Sequence, residues 1–97
     1  MAMYGEINKN NEIFVIDKRV LTTGETEETL LITGSLSDAC DYMEEWNIKE
    51  GFNNRDCYNN LDFSTLDFEK HKYIADLYKY SNWDEFVEMG GEIVNKK

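Results

Sequence analysis

Apolar residues in the first third of the chain follow patterns that are typical of β-strands. Residues 3–7 (MYGEI) alternate loosely and end at residues 8–11 (NKNN), which favour a turn. Residues 12–21 (EIFVIDKRVL) include four consecutive apolar residues, as expected of a central strand covered on both faces. Residues 30–33 (LLIT) predict a third strand after a polar loop over residues 22–29. We therefore expect an antiparallel three-stranded meander.

The following segment changes to the spacing of an amphipathic helix. Ser35 is a suitable N-cap and Gly51 a suitable C-terminal stop. The apolar positions between them recur every three or four residues and are Leu36, Ala39, Cys40, Met43 and Trp46. Residues 52–63 contain four Asn residues and no clear period, so they predict a long loop pinned to the core by its aromatic residues.

Two more helices are predicted in the last third of the chain. Residues 64–80 (STLDFEKHKYIADLYKY) begin with a Ser and Asp capping pair and carry a broad apolar stripe. A new cap at Ser81 or Asn82 starts the third helix, which Gly90 and Gly91 weaken or end. The sequence thus predicts a single α+β domain over residues 1–97, with the N-terminal antiparallel meander packed against two or three helices.

Charge then narrows the choice of partners. The chain has 20 acidic and 10 basic residues and a formal net charge of −10, which repels phosphates and argues against direct nucleic-acid binding. Two of the basic residues are Arg, the usual reader of guanine and phosphate. No signal peptide or membrane span is evident, so we expect a protein of the bacterial host cytosol. Abundant Asn, with eight Lys against two Arg, indicates an AT-rich genome such as that of a low-GC bacterium or its phage.

The sequence contains no motif that identifies a reaction. His71 is the single histidine, and Cys40 and Cys57 lack the close spacing of a zinc site. Residues 62–70 fail the calcium-loop pattern, because Asp67 stands where the loop needs Gly. The glycines are too scattered for a phosphate-binding loop. We therefore expect no catalytic residues, no metal, no cofactor and no enzymatic activity.

The chemistry that remains is an acidic patch at mid-chain. Residues 35–62 carry seven acidic residues against Lys49 and Arg55. Tyr42 is expected to lie among these acids as an aromatic anchor for a partner. The predicted partner-binding residues are Asp41, Tyr42, Glu44, Glu45, Glu50, Asp56 and Tyr58. The alternative interpretation of the same acids is a solvated face that only keeps the protein in solution.

These features predict a small non-enzymatic inhibitor that binds a basic groove of a nucleic-acid-handling protein. In general character, though in no motif, the chain resembles anti-restriction and anti-CRISPR proteins, the antidefence proteins of phages and mobile elements that act as DNA mimics. The alternative is an immunity protein or antitoxin that neutralises a basic nuclease toxin. A third hypothesis, a small enzyme or ligand-binding domain, requires a pocket. The expected partner is a protein, and both a monomer and a homodimer are compatible with the sequence.

Overall fold

In the computed structural model, which describes residues 3–53 and 55–95, four strands form one mixed β-sheet. The strands are β1 (Met3–Tyr4), β2 (Ile13–Val20), β3 (Thr26–Thr33) and β4 (Tyr73–Tyr80). Their order across the sheet is β1-β3-β2-β4, and β2 is antiparallel to both of its neighbours. Helix α1 (Leu36–Lys49) packs on the sheet, as does helix α2 (Trp83–Asn95), and a short 3-10 helix spans Tyr58–Asn60.

Strand β2 lies at the centre of the sheet and is buried on both faces. Phe14 and Ile16 belong to a buried cluster against which residues of α1 pack. Ile13 and Val15 point to the opposite face and form a second cluster with Phe86 of α2. The alternation of side chains along a strand explains how four consecutive apolar residues supply both layers. The prediction of a central strand covered on both sides is therefore confirmed.

The predicted three-stranded antiparallel meander is wrong. β1 does not form a hairpin with β2; it runs parallel to β3, with Met3 opposite Leu31 and Tyr4 opposite Ile32. β2 has only two edges, and β3 and β4 occupy them with longer ladders than a two-residue strand could offer. β3 also begins at Thr26, inside the predicted polar loop, because these threonines and glutamates pair with the outer half of β2.

The predicted helix over residues 64–80 is also wrong. Its first part forms turns, and its second part is strand β4, which pairs with β2 over the whole of Tyr73–Tyr80. Tyr, Ile and Leu recur there at spacings that fit a helix stripe, but aromatic and β-branched residues also favour a strand. The strand is favoured because one edge of β2 is free to pair with it, and the resulting ladder of hydrogen bonds stabilises the extended conformation.

Helix α1 begins and ends at the expected residues, and α2 begins just after Asn82, one of the two predicted caps. The Ser35 hydroxyl accepts a hydrogen bond from the Asp38 amide, and Gly51 has a φ of 93° just after the end of α1. This left-handed conformation favours Gly, so the predicted stop is confirmed. α2 continues through Gly90 and Gly91 to Asn95 instead of breaking there. In the described part of the chain, neither helix has both the length and the apolar character that crossing a bilayer requires.

The outer edge of β4 is closed by a side chain of α1. Asn47, which is 1% exposed, accepts a hydrogen bond from the Ala75 amide at 2.8 Å and donates one to the Ala75 carbonyl oxygen at 3.1 Å. A second donated bond reaches the carbonyl oxygen of Asp56 at 3.4 Å. After α1 the chain passes this edge, and Phe52 packs with Leu21 and Ile74. Asn47 therefore joins helix, sheet edge and following segment.

Replacing Asn47 by leucine should lower the free energy of unfolding by about 2–3 kcal/mol. The variant leaves both polar groups of Ala75 without the partner they have in the native fold, and unsatisfied buried groups cost about 1–3 kcal/mol each. Urea unfolding followed by tryptophan fluorescence measures the change. Asn59→Ala is the matched control, because Asn59 is exposed and should shift the value by less than about 0.5 kcal/mol. Equal values for the two variants would contradict the assigned role.

Candidate functional site

The outward face of α1 presents carboxylates to solvent. Asp38, Asp41 and Glu45 are exposed and follow one another at spacings of three and four residues, which places them along one stripe of the helix. No ion pair joins any of them to a lysine or arginine in residues 3–53 and 55–95. Asp38 lies in the first helical turn, where the helix dipole favours negative charge. The stripe is therefore a row of exposed carboxylates without ion pairs on the helix, with Lys49 one turn after Glu45.

Glu44 and Tyr42 lie on the flanks of this stripe. Glu44 is half-buried, so part of its side chain is turned away from solvent. Tyr42 is also half-buried and packs against the cluster that contains Phe14 and Ile16. One part of its side chain thus contributes to the core beneath α1, and the other part is accessible to solvent beside the acidic residues.

The other three predicted partner-binding residues lie beyond the helix. Glu50 is the C-cap of α1, and its carbonyl oxygen accepts a hydrogen bond from Nδ1 of His71 at 3.0 Å. The Asp56 carboxylate accepts one from the Asn53 amide at 2.9 Å and so stabilises a local turn. Tyr58 packs against the cluster of Leu21, Phe52 and Ile74, and Ile74 points to the face of the sheet opposite α1. The structure therefore brings Asp41, Glu44 and Glu45 together and places Tyr58 elsewhere.

A second polar cluster, which the sequence did not reveal, lies on the face of the sheet away from α1. Asp17 of β2 and Asp76 of β4 stand directly opposite each other in the ladder and are 2% and 8% exposed. The Asp17 carboxylate accepts a hydrogen bond of 3.0 Å from the Thr29 hydroxyl of β3. We call Asp17 and Asp76 the buried carboxyl pair.

Arg19 provides the positive charge of this cluster. Its Nη1 lies 3.2 Å from Oδ2 of Asp76, and its Nη2 donates a hydrogen bond to the Tyr78 hydroxyl. The guanidinium also lies 4.3 Å from the centre of the Tyr58 ring. Nε of Arg19 is buried and has no hydrogen-bond partner among the described residues. One guanidinium thus connects the buried carboxyl pair with the segment that carries Tyr58.

Burial dominates the electrostatics of the pair. The pKa of Asp17 is raised from 3.8 to about 6. Removal from water is the largest cause and the nearby charge of Asp76 acts in the same direction, while the Thr29 hydroxyl and Arg19 oppose the rise. Burial also raises the pKa of Asp76, against the attraction of Arg19. Asp17 therefore changes its charge within one unit of neutral pH, unlike an ordinary aspartate.

Sequence reasoning missed the pair because it placed Asp76 in a helix, where it cannot face β2. A signal was nevertheless present. Asp17 and Arg19 follow the apolar run of β2 two residues apart, so they share one face of a strand predicted to be covered on both sides. Charged residues at such positions must find partners, and this requirement could have suggested a buried ionic cluster.

With this geometry described, comparison with other proteins adds no relative: no protein family, curated protein or solved structure matches the chain. Among the described residues, no group of three or more His, Cys, Asp or Glu side chains could hold a metal ion.

The buried carboxyl pair predicts a protein that becomes more stable in mild acid. Because the pKa of Asp17 is higher in the folded state than in the unfolded chain, the folded state binds the proton more tightly, and stability falls as the pH rises between 3.8 and about 6. Between pH 7 and pH 5 the contribution of Asp17 should raise the free energy of unfolding by about 1 kcal/mol. Urea unfolding across this range measures it.

Asp17→Asn should abolish the pH dependence that comes from Asp17. It should also raise the free energy of unfolding at pH 7 by about 1 kcal/mol, since Asn still accepts the Thr29 hydrogen bond without a buried charge. Glu69→Gln is the control, because Glu69 is an exposed carboxylate whose loss should leave the pH dependence of the wild type in place. An Asp17→Asn variant with the same pH dependence as the wild type would refute the explanation.

Proposed function

We propose that this chain is a small inhibitor without enzymatic activity, which binds the basic groove of a nucleic-acid-handling protein through the outward face of α1. The observation that carries the proposal is the stripe of exposed, unpaired carboxylates at Asp38, Asp41 and Glu45. Its place of action is the cytosol of a bacterial host, where it serves a phage or mobile element against a defence nuclease.

The spacing of the stripe supports a partner that normally holds a phosphate backbone. With a rise of about 1.5 Å per residue, carboxylates three and four residues apart advance along the helix by roughly 4.5 and 6 Å. These steps are similar in scale to the separation of successive phosphates. A groove lined with Lys and Arg for nucleic acid therefore offers positive charge at intervals that such a helix meets.

The overall charge supports a protein partner. A net charge of −10 attracts a cationic surface over several ångströms and repels nucleic acid, so the chain and a nucleic acid would compete for the same groove. Glu44 and the exposed part of Tyr42 flank the stripe, where a carboxylate and an aromatic ring would contact the walls of the groove.

The proposal is tested by competition with DNA. A restriction endonuclease, an RNA-guided DNA nuclease and a basic ribonuclease toxin are each loaded with fluorescent nucleic acid, and displacement by the chain is measured by anisotropy. At least one of them should release its nucleic acid at low ionic strength, with a weaker effect as salt increases. Asp41→Lys with Glu45→Lys should weaken this displacement about 100-fold, since two attractive charges become repulsive.

The matched control is Glu25→Lys with Glu69→Lys, which makes the same change of net charge at two exposed positions outside α1. It should lose far less affinity than the α1 variant. Equal losses of affinity would show that total charge rather than the helix face governs binding. If the wild type displaces nucleic acid from none of the three nucleases, the proposal is rejected. Circular dichroism confirms that each variant remains folded.

A further inference from the structure

The buried carboxyl pair lies where two covers of the same sheet face meet. On one side, α2 packs through Phe86 on the cluster of Ile13 and Val15. On the other side, the cluster of Leu21 and Ile74 is covered by Tyr58, Leu61 and Leu66. We call residues 56–66 the cover segment. Asp17 and Asp76 follow Val15 and Ile74 along their strands, so the pair occupies the seam between α2 and the cover segment.

The charges in the seam do not balance when both carboxyl groups are ionised. Two carboxylates face each other across the ladder, and Arg19 supplies one positive charge, which is paired with Asp76. An excess negative charge in a place so poorly exposed to water is strongly unfavourable. Two responses relieve it: the pair takes up a proton, or one of the covers opens and admits water.

The groups that face the pair come from every element around it. β2 contributes Arg19, β4 contributes Tyr78 and Tyr80, and β3 contributes the uncharged Thr29. On α2 Glu85 acts on Tyr80, and its carboxylate accepts a hydrogen bond from the Ser81 amide. From the cover segment the facing group is Tyr58, which touches Arg19. Arg19 is thus the only cation among these described groups, and none of the others can neutralise a second carboxylate.

The cover segment, unlike α2, places no fully buried side chain in the core. Most of its residues are exposed, and apart from the bond that the Asp56 carbonyl oxygen accepts from Asn47, the hydrogen bonds that the structure shows for it, such as those between Cys57 and Asn60, are local. α2, in contrast, inserts the fully buried Phe86 into the core. In the closed arrangement Nε of Arg19 is buried without a partner, and opening of the segment would let water satisfy it. Regions with few buried contacts open locally at low free energy.

We propose that the buried carboxyl pair is a proton switch for the cover segment, which stays closed while the pair holds a proton and opens more often once the proton is lost. The proton resides on Asp17, because Asp76 keeps its ion pair with Arg19. In the open state water reaches Asp17 and its negative charge is no longer penalised. The switch therefore acts between mildly acidic and neutral pH, and it does not depend on what the outer face of α1 binds.

Hydrogen exchange of the Cys57 and Asn60 amides tests the switch. Exchange is followed by NMR at pH 5 and pH 7 and corrected for the intrinsic rate at each pH. If the pKa of Asp17 moves between about 6 in the closed state and 3.8 in the open state, linkage makes opening about tenfold more frequent at pH 7. In Asp17→Asn the corrected exchange should be the same at both pH values, and Glu69→Gln should retain the wild-type ratio.

Three results would overturn the proposal. The first is a corrected exchange rate in the wild type that does not change between the two pH values. The second is exchange of these amides as slow as that of β2, which would mean that they open only when the whole protein unfolds. The third is a direct titration: the Asp17 carboxyl carbon, followed by NMR, should titrate near pH 6, and a midpoint below about 4.5 would leave the pair without a proton to release.

Discussion

The structure depends on one strand that is shut off from water on both faces. β2 begins with Ile13, Phe14, Val15 and Ile16, whose side chains alternate between the layer under α1 and the layer under α2. This requirement places the largest elements: β3 and β4 cover the two edges of β2, and the helices cover the two faces. The second half of β2 is also covered by other elements, so the side chains of Asp17 and Arg19 are removed from water as well. The fold must therefore accommodate their charges.

Two groups of acidic residues consequently differ in their physical setting. Those on the outward face of α1 are fully hydrated, so their repulsion is weak and screened by salt, and the surface they form is available to a cationic partner. Those in the buried carboxyl pair are few but strongly coupled to folding, because the interior screens them poorly. Net charge alone does not distinguish the two classes, and only the exposed class can attract a partner over a distance.

Local signals in the sequence were sufficient for some elements and insufficient for others. The run at the start of β2, the Ser35 cap and the Gly51 stop each rest on short-range physics, and each is found in the structure. The meander and the helix over residues 64–80 failed because strand pairing is decided between distant residues. A segment such as β4 fits either periodicity, and the free edge of β2, more than 50 residues away, determines which one is adopted.

The same limit applied to the candidate site. The carboxylates of α1 could be placed on one stripe because helical spacing is local, whereas the positions of Tyr42 and Tyr58 depended on packing that the spacing did not define. The pairing of Asp17 with Asp76 joins two strands across the chain and has no local signature.

The amide of Asn47 has a consequence beyond the monomer. An edge strand with free amide and carbonyl groups can pair with a strand from a neighbouring molecule and so extend the sheet, and ordered aggregates grow by this pairing. By occupying both backbone groups of Ala75, Asn47 denies an intruding chain one of the registers it would need. Polymerisation through the outer edge of β4 would first have to displace the buried Asn47 side chain. The mutual repulsion of highly anionic molecules adds a further barrier.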